Sequence, residues 1–323
     1  MMLGIFNDSR DIYFNLALEE YILKNRTEDV FILWQSETSV VVGKHQNTMA
    51  EINHSYIRHH QIPVARRLSG GGTVVHGPGN LNFTFVMNGE PGKMVNFKRF
   101  VTPVIMYLST IGLEAAFGDR NDLHAGGIKI SGNAEHIFRQ RMLHHGTLLF
   151  NADLTVLEES IRVKSGQYID KAVKSNRSQV GNISNFLRKS MSIEDFEKGL
   201  FQFLQDYFDV KHEYRLNKFE LKEIERLRDE KYITKEWIYR YSPPFEANRV
   251  IQLDGQLVQI WFRVIKGIVA DATITADSSV YDWNEITRQL LNIPYEYEEI
   301  RTVLEQFRKF TNNQIVSILE ILF

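Results

Sequence analysis

The chain has 323 residues, of which 43% are hydrophobic and 24% are charged, and its formal net charge is -2. At about 150 residues per domain, this length predicts two folded domains, and the globular composition argues against disorder. Because the net charge is close to zero, overall electrostatic attraction does not favour non-specific nucleic-acid binding. No apolar run approaches the roughly 18 residues that a membrane-spanning helix needs, so we expect a cytoplasmic protein that binds neither membrane nor nucleic acid.

Cysteine is absent from the sequence. This excludes disulfides, thiolate zinc sites and any mechanism that passes through a cysteine thioester. The ten histidines never form a His-Glu-x-x-His motif, and no Gly-x-Ser-x-Gly motif occurs. Zinc hydrolases and hydrolases with a serine nucleophile on a strand-to-helix elbow are therefore not expected.

Helical and extended patterns alternate through the first two hundred residues. The predicted helices cover 11–24, 49–60 and 97–111, and the predicted strands include 31–34 and 39–43. Residues 62–87 indicate a strand, a glycine loop, a second strand, a turn and a third strand, and 126–151 indicate successive antiparallel strands. The pattern predicts a mixed α/β (α+β) domain with a large mixed sheet.

The residue pattern changes after Ser242-Pro243-Pro244. Helical patterns over 192–209 and 218–230 precede this break. Beyond it, two alternating runs flank Asp254-Gly255, which is a strong hairpin signal, and a further strand follows Lys266-Gly267. Helical patterns cover 283–291 and 295–323. We therefore predict a large domain over 1–245 and a small β-hairpin-plus-helix domain over 246–323.

The strongest chemical feature is a triple-glycine segment, Arg66-Arg67-Leu68-Ser69-Gly70-Gly71-Gly72-Thr73. Consecutive glycines leave backbone N–H groups uncovered and able to converge on an anion, and two arginines stand beside them. A plain β-bulge or hairpin turn is the alternative interpretation. The segment runs into a strand rather than a helix, so it is neither a Walker loop nor a Rossmann fingerprint. The kinase motifs are missing as well.

A second feature is Lys129, which stands on a short strand between glycines in Gly126-Gly127-Ile128-Lys129-Ile130-Ser131-Gly132. Its small neighbours on the same face leave room for the ammonium group to reach a ligand. A solvated lysine at a sheet edge is the alternative. Asp122, just upstream, could contribute a carboxylate to a magnesium ion, which typically uses one or two carboxylates together with phosphates.

Several motifs in fixed order resemble the lipoate-protein ligase A family. These are RRLSGGGTVVHGPGNLNFTF, NDL, GIKISGNAEH, HHGTLLFNADL and SNRSQVGNI. The resemblance covers most of the chain, since WIYRYSPPF, a hairpin and helices are similar to the family's linker and small accessory domain. It implies a catalytic domain related to biotin protein ligases, which adenylates lipoic acid with ATP and Mg²⁺. The lipoyl group would then pass to a lysine of an apo lipoyl domain, in 2-oxoacid dehydrogenase E2 subunits or the glycine cleavage H protein.

The resemblance also implies roles for individual residues. Lys129 matches the family's essential lysine, which contacts the acyl carbonyl and the adenylate phosphate, and Asp122 matches an aspartate that helps to hold magnesium. The implied nucleotide contacts are Arg67, Gly72, Thr73, Val74, Val75 and Asn80. The implied lipoate contacts are Trp34, Gly71, His76, Lys129 and His145. One departure is Gly77-Pro78, where the family often has Asp-Leu, and it puts the conformation of that turn in question.

Physical chemistry supports the same assignment, because attack of a carboxylate on a phosphate joins two anions and needs cationic and N–H groups around them. The apolar acyl chain needs a dry slot, which Trp34, Val42, Val75 and Leu81 could line. The same slot would accept octanoate as a poorer donor. Two alternatives stay open: a lipoyl or octanoyl transferase that moves the acyl group between carriers, and a non-catalytic module that binds carriers. The lack of cysteine disfavours the first, and the intact Lys129 and glycine loop disfavour the second.

Overall fold

The structure is a computed structural model that describes residues 2–89, 97–118, 121–163, 166–176, 178–277 and 280–323. Arg177, part of one family-like motif, lies outside these ranges. The strands are β1 (Met2–Asn7), β2 (Asp29–Trp34), β3 (Ser39–Val42), β4 (Val64–Arg66), β5 (Val74–His76), β6 (Asn80–Asn88), β7 (Ala116–Phe117), β8 (Asp122–Ala125), β9 (Ile128–Phe138), β10 (Arg141–Leu149), β11 (Tyr168–Asp170), β12 (Phe245–Leu253), β13 (Gln256–Ile265) and β14 (Ile268–Ala276). The helices are α1 (Ile12–Asn25), α2 (Thr48–Glu51), α3 (His54–His59), α4 (Phe97–Thr110), α5 (Leu154–Ser160), α6 (Ile193–Tyr207), α7 (Lys218–Leu227), α8 (Trp283–Leu290), α9 (Tyr297–Glu305) and α10 (Asn312–Leu322). No helix in the described ranges is long and apolar enough to span a bilayer.

The chain forms two compact units. The first unit comprises Met1–Lys44, Pro63–Glu158 and Ser175–Ile233, and the second comprises His45–Ile62, Glu159–Lys174 and Thr234–Phe323. The second unit therefore draws two earlier segments of the chain into the fold of its C-terminal part. The functional boundary at 245/246 that the sequence suggested stays a prediction.

A seven-stranded sheet forms the centre of the first unit, with the strand order β1-β2-β6-β10-β9-β8-β7. Strands β1 and β2 are parallel and the other pairs are antiparallel, which confirms the predicted mixed sheet. Helices α4 and α6 pack on one face and bury a large aromatic and aliphatic core there. A second sheet, ordered β4-β3-β5, carries the glycine loop between β4 and β5.

Helix α1 begins where the sequence predicts, because Asp11 caps it by accepting hydrogen bonds from the backbone N–H groups of Tyr13 and Phe14. Polar residues of α1 are buried along with the apolar ones, including the adjacent carboxylates Glu19 and Glu20. The helix is thus enclosed on more than one side, which is why its apolar pattern is only loosely periodic.

Two segments that are predicted as single helices each form two shorter helices. The segment 49–60 is split into α2 and α3, because Ile52 is extended and the Asn53 side chain caps a new helix at the N–H of Tyr56. The segment 295–323 is likewise split into α9 and α10. Thr311 and Gln314 form a reciprocal capping box at the start of α10. Both breaks occur at a residue type that favours helix starts.

The second unit contains a four-stranded antiparallel sheet, ordered β11-β12-β13-β14. The hairpin predicted at Asp254-Gly255 is present between β12 and β13, and both turn residues have positive φ, 49° and 80°. Two consecutive positive φ angles match the twist that tight hairpins favour. Strand β11 extends this sheet from an earlier part of the chain, a pairing the sequence did not reveal.

Candidate active site

Strand β6 has one apolar face and one polar face, and both are buried. Its apolar residues Phe83 and Phe85 join the core under α4 and α6. Its polar residues Asn80, Asn82 and Thr84 alternate with them and are at most 2% exposed. Because buried polar groups require hydrogen-bond partners, a buried polar face on a central strand is a candidate binding surface.

The register of the sheet extends this polar face onto its neighbours. His145 on β10 lies opposite Thr84, and Thr147 lies opposite Asn82. Leu81 packs in the core on the opposite face, so of the predicted slot residues only Trp34, Val42 and Val75 remain candidates. The polar face also contains unsatisfied atoms: Asn80 Oδ1 and Asn82 Nδ2 have no hydrogen-bond partner within the described ranges.

The turn that leads into β6 holds Asn80 in place. The Asn80 N–H donates to the carbonyl oxygen of Gly77 at 3.0 Å, and Gly79 has φ of 83°. Proline followed by a glycine with positive φ is the signature of a type II turn. A side chain at Gly79 would collide with Asn151, so the close approach also requires glycine. The Gly77-Pro78 departure from the family pattern thus forms a regular turn.

The Arg67 guanidinium organises the triple-glycine loop. Its Nη2 donates to the carbonyl oxygens of Gly70 (2.6 Å) and Gly72 (2.7 Å), its Nη1 to that of Val41 (3.1 Å), and its Nε to Ser69 Oγ (3.0 Å). Burial lowers the pKa of Arg67 to about 10, while the charge of Glu19 opposes this shift. The guanidinium therefore stays charged at neutral pH and is engaged with the loop's carbonyls.

The glycine loop packs against neighbouring segments of the first unit. Gly71 has φ of 85°, and a Cβ atom there would lie 3.1 Å from Arg67 Nη2 and 3.9 Å from the Cβ of Ala134 on β9. The Thr73 N–H donates to Ser175 Oγ at 2.9 Å. Ser69 Oγ is 2.6 Å from His145 Nε2. Hydrogen bonds thereby join the loop to Ser175 and to β10, and Gly71 lies near β9, the strand that carries Lys129.

Lys129 projects along its own strand rather than into bulk water. An ideal Cβ on Gly132 would lie 3.5 Å from both Lys129 Cε and Nζ, so the lysine extends over that glycine. Its Nζ is 3.9 Å from Asp122 Oδ2, and its side chain is 25% exposed. The Lys129 N–H donates to the carbonyl oxygen of Gln179, and the Lys129 carbonyl oxygen accepts from the N–H of Gly181. The structure therefore brings Lys129 and Asp122 together.

Asp122 is 5% exposed in its side chain and begins β8. Its Oδ1 lies 3.1 Å from His124 Nε2, but it accepts no hydrogen bond of acceptable geometry from the described part of the chain. In the same described part, no cluster of three or more His, Asp or Glu residues is arranged to hold a metal ion. Any magnesium at Asp122 would therefore need further oxygen ligands from a bound phosphate.

Trp34 and His76 lie side by side, with ring centroids 5.3 Å apart. Burial lowers the pKa of His76 to about 3, and the nearby charges of Arg67 and His145 act in the same direction. His76 is thus a neutral imidazole whose Nδ1 has no partner among the described residues. Val42 and Val75, which the sequence assigns to the same apolar slot, are buried as well.

Sequence reasoning missed three contributors to this site. Glu19 lies on α1 and contacts His145 Nδ1, Ser175 contacts the loop, and Asn82 lies beside Asn80. The only available signal was the strict polar-apolar alternation of NLNFTF in β6, which is normally typical of a strand with one solvent face. The other two contacts join residues far apart in sequence, 126 and 102 positions respectively.

Two family models match the chain. The lipoyl protein ligase A/B catalytic domain covers residues 11–205, and the bacterial lipoate protein ligase C-terminus covers residues 242–322. The chain belongs to the lipoate-protein ligase family. The predicted family and the prediction of an enzyme are therefore confirmed, and the site described above lies within the catalytic-domain match.

Similar proteins of this ligase family cover nearly the whole chain. Lipoate-protein ligase LplJ of Bacillus subtilis is 37% identical over 310 residues, which are 94% of this chain and 94% of that protein. Lipoate-protein ligase 1 of Staphylococcus aureus is 36% identical over 93% of this chain and 92% of its own length. The curated relatives are named ligases, so the transferase alternative is not favoured.

Solved structures of lipoate-protein ligases show the same architecture. A lipoate-protein ligase A bound with ATP matches with a TM-score of 0.63 and 25% identity, over 74% of this chain and 97% of that one. A bipartite lipoate protein ligase from Thermoplasma acidophilum, described with its E2 lipoyl domain, matches with a TM-score of 0.64 and 24% identity over 74% and 97%. These matches confirm the predicted fold class.

Proposed function

We propose that the chain joins lipoate to a lysine of apo lipoyl domains in two steps, with ATP as the activating substrate. The observation that carries the proposal is that Gly71 of the triple-glycine loop approaches Ala134 on β9, the strand on which Lys129 extends toward Asp122. The glycine loop and the Lys129 ammonium group would then border one site. Membership of the lipoate-protein ligase family supports the choice of lipoate as the acid.

In the first step, a carboxylate oxygen of lipoate attacks the α-phosphorus of ATP, the bond to the β-phosphate breaks, and pyrophosphate leaves. The product is lipoyl-AMP, a mixed anhydride. In the second step, the neutral amine of the carrier lysine attacks the lipoyl carbonyl, the bond to the phosphate oxygen breaks, and AMP leaves. A proton is released from the amine. Neither step requires a nucleophile from this chain.

Lys129 has the central role in this proposal, because negative charge develops on phosphate oxygens in the first step and on the acyl oxygen in the second. A preorganised donor near these atoms stabilises both transition states. Hydrogen bonds to a charged group contribute about 1.5 to 3 kcal/mol each. An ammonium group that is only partly exposed and held by its strand has little reorganisation to undergo when the substrate binds.

The remaining predicted residues divide between nucleotide and acyl chain. We propose that Gly72 to Val75 and the Asn80 side chain contact the nucleotide, and that Arg67 acts by holding the loop's carbonyls. The neighbouring Trp34 and His76 rings, with Gly71 and His145, would border the lipoyl group. The unsatisfied Nδ1 of His76 and the unsatisfied amide atoms of Asn80 and Asn82 support ligand contacts on this face.

Magnesium fits this site only together with ATP. Asp122 offers a buried carboxylate oxygen without a good hydrogen bond, and Mg²⁺ is usually held by one or two carboxylates and by phosphate oxygens. The ion would screen charge on the phosphates. The proximity of Lys129 Nζ to Asp122 Oδ2 means that metal and ammonium would share one carboxylate.

The proposed carriers are the lipoyl domains of 2-oxoacid dehydrogenase E2 subunits and the glycine cleavage H protein. The Thermoplasma ligase described with its E2 lipoyl domain supports this class of partner. A cytoplasmic location is part of the same proposal, and the lack of cysteine is compatible with a reducing compartment. We also propose octanoate as a poorer donor, because a saturated eight-carbon chain fits a slot made for lipoate.

The experiment mixes the protein with ATP, Mg²⁺, lipoate and an apo E2 lipoyl domain, and weighs the domain by mass spectrometry. We expect a mass gain of one lipoyl group that requires ATP and that is slower with octanoate. A lipoyl domain whose acceptor lysine is replaced by arginine is the control and should gain no mass. An unchanged mass with wild-type domain, or a gain that persists without ATP, would remove the ligase proposal.

A further inference from the structure

A continuous chain of hydrogen bonds joins α1 to the glycine loop. Thr84 Oγ1 donates to Glu19 Oε1 at 2.5 Å, and Glu19 Oε2 lies 2.9 Å from His145 Nδ1. His145 Nε2 lies 2.6 Å from Ser69 Oγ, which accepts from Arg67 Nε at 3.0 Å. Thr84 and Ser69 are fully buried, and Glu19 is only 3% exposed.

A carboxylate can only accept, so His145 Nδ1 carries the hydrogen that it donates to Glu19. His145 Nε2 forms a hydrogen bond with the Ser69 hydroxyl, whose oxygen accepts from Arg67 Nε. Every member is paired, and the chain joins the Glu19 carboxylate to the Arg67 guanidinium. Glu19 also interacts with Arg67 electrostatically through space.

Arg67 connects this hydrogen-bond chain to the backbone of the glycine loop. It binds the carbonyl oxygens of Gly70 and Gly72, and in a trans peptide the following N–H points the opposite way. The N–H groups of Gly71 and Thr73 are therefore directed away from the guanidinium. The Thr73 N–H donates to Ser175 Oγ. Rotation of Arg67 would release both carbonyl oxygens and change the shape of the loop.

We propose that Glu19 is a positioning residue, which acts through His145 and Ser69 on Arg67 to hold the glycine loop in the shape that receives the phosphate of the acyl-adenylate. The proposal rests on the proposed function. Its effect on the loop would be carried by His145 and Ser69. Misplacement of catalytic groups by about 1 Å lowers rates by about 100-fold, so a loosened loop should be visible in the adenylation rate.

The order carboxylate, imidazole, hydroxyl is also that of a serine hydrolase triad. The local environment favours positioning over nucleophilic attack. Arg67 Nε donates to the same Ser69 oxygen that would have to attack, and an N–H from a cation withdraws the lone pair from reaction. Ser69 is completely buried as well. An acyl group on Ser69 is nevertheless an outcome that the experiment can detect.

The test compares Glu19→Gln with Glu20→Gln. Both carboxylates lie on α1 and are buried, but Glu20 binds Lys24, Lys231 and Tyr232 instead of the loop's network. Single-turnover formation of lipoyl-AMP is measured against ATP concentration, with thermal unfolding of each variant alongside. We expect Glu19→Gln to lower the rate about 10- to 100-fold, whereas Glu20→Gln changes it less than about twofold even where its thermal stability falls equally.

Ser69→Ala interrupts the network at its middle and leaves the carboxylate in place, so it also serves if Glu19→Gln does not fold. We expect it to lower the rate to the same degree. The double variant should lose no more than either single variant, because the two changes break one chain. Additive losses, a wild-type rate in Glu19→Gln or Ser69→Ala, or an acyl adduct on Ser69 in the mass spectrum would overturn the positioning role.

The wild-type protein is assayed in the same series. If it forms no lipoyl-AMP, the proposed function fails and the positioning role fails with it. If it forms lipoyl-AMP but Glu19→Gln and Glu20→Gln have equal effects, only the positioning role is overturned.

Discussion

One face of β6 carries Leu81, Phe83 and Phe85, and the other carries Asn80, Asn82 and Thr84, although all six residues are buried. The apolar residues are satisfied by packing under α4 and α6. On the polar side, by contrast, two amide atoms have no partner among the described residues, and Thr84 belongs to a hydrogen-bond network. The comparison shows that two equally buried faces can differ in role: the apolar face packs in the core, and the polar face is the one that we propose binds a ligand.

The largest effect should come from the apolar face. Phe83→Ala removes a ring that packs between Phe85 and His144, so the free energy of unfolding should fall by about 3 to 5 kcal/mol. Urea denaturation measures this loss. Phe219→Ala, at a phenylalanine that is 67% exposed, is the control and should change stability by less than about 0.5 kcal/mol. Similar losses in both variants would contradict the division into faces.

At the proposed ligand site, Lys129→Ala should lower the rate of lipoyl-AMP formation by about 100- to 1,000-fold, because removal of one preorganised donor to a developing oxyanion lowers a rate by about that factor. The unfolding midpoint should stay near that of the wild type, because Lys129 is partly exposed and not part of the core. Lys198→Ala, on the exposed side of α6, is the control. Near-normal adenylate yield in Lys129→Ala would show that the lysine is misassigned.

The dependence of the free energy of unfolding on acid pH should also test the surface around His76. His76 borders the proposed ligand, and its pKa is lowered from its ordinary 6.5 to about 3. As pH falls below 6.5, the unfolded chain takes up this proton first, so the folded state loses about 1.4 kcal/mol per pH unit until about pH 3. His76→Asn should flatten the measured curve of stability against pH by one proton over that range.

His136 provides the internal comparison, because burial lowers its pKa to about 4 and the window of its effect is narrower. His136→Asn should flatten the same curve only above about pH 4. If His76→Asn leaves the slope unchanged between pH 6 and 4, the imidazole is not buried in its neutral form and the account of this surface is incorrect.

The smallest effect compares two glycines with nearly equal φ, 85° at Gly71 and 80° at Gly255. Alanine at either position should cost about 1 to 2 kcal/mol of stability, because a Cβ disfavours the left-handed region. Only Gly71→Ala should also raise the KM for ATP, since its Cβ would contact the Arg67 guanidinium. If both variants change the KM for ATP equally, or if Gly71→Ala does not change it, the glycine loop does not contribute to nucleotide binding.

Much of this architecture could be predicted from local pattern. The mixed sheet and the hairpin at Asp254-Gly255 follow from alternation and turn residues, both of which act over a few residues. Residues 49–60 are predicted as one helix because periodicity alone does not reveal a cap such as Asn53 inside a segment with a helical pattern.

The hydrogen-bond network could not be predicted. Glu19 lies in NLALEE, where a carboxylate on a helix normally indicates a solvated face, and only the packed fold shows that it reaches His145. Arg67 was predicted to contact the nucleotide, a role that no observation yet tests. The structure shows its donors directed to the loop's carbonyls, a geometry that depends on how the glycine backbone folds and leaves no trace in residue spacing.

The central claim is that the polar face of β6, the triple-glycine loop and Lys129 hold the acyl-adenylate. A crystal structure of the protein with a non-hydrolysable lipoyl-adenylate analogue tests it most directly. We expect a phosphate oxygen within about 2.7 to 3.2 Å of Lys129 Nζ and of a loop N–H, with the acyl chain beside Trp34 and His76. An analogue bound elsewhere, with the Lys129 ammonium directed into solvent, would contradict the account.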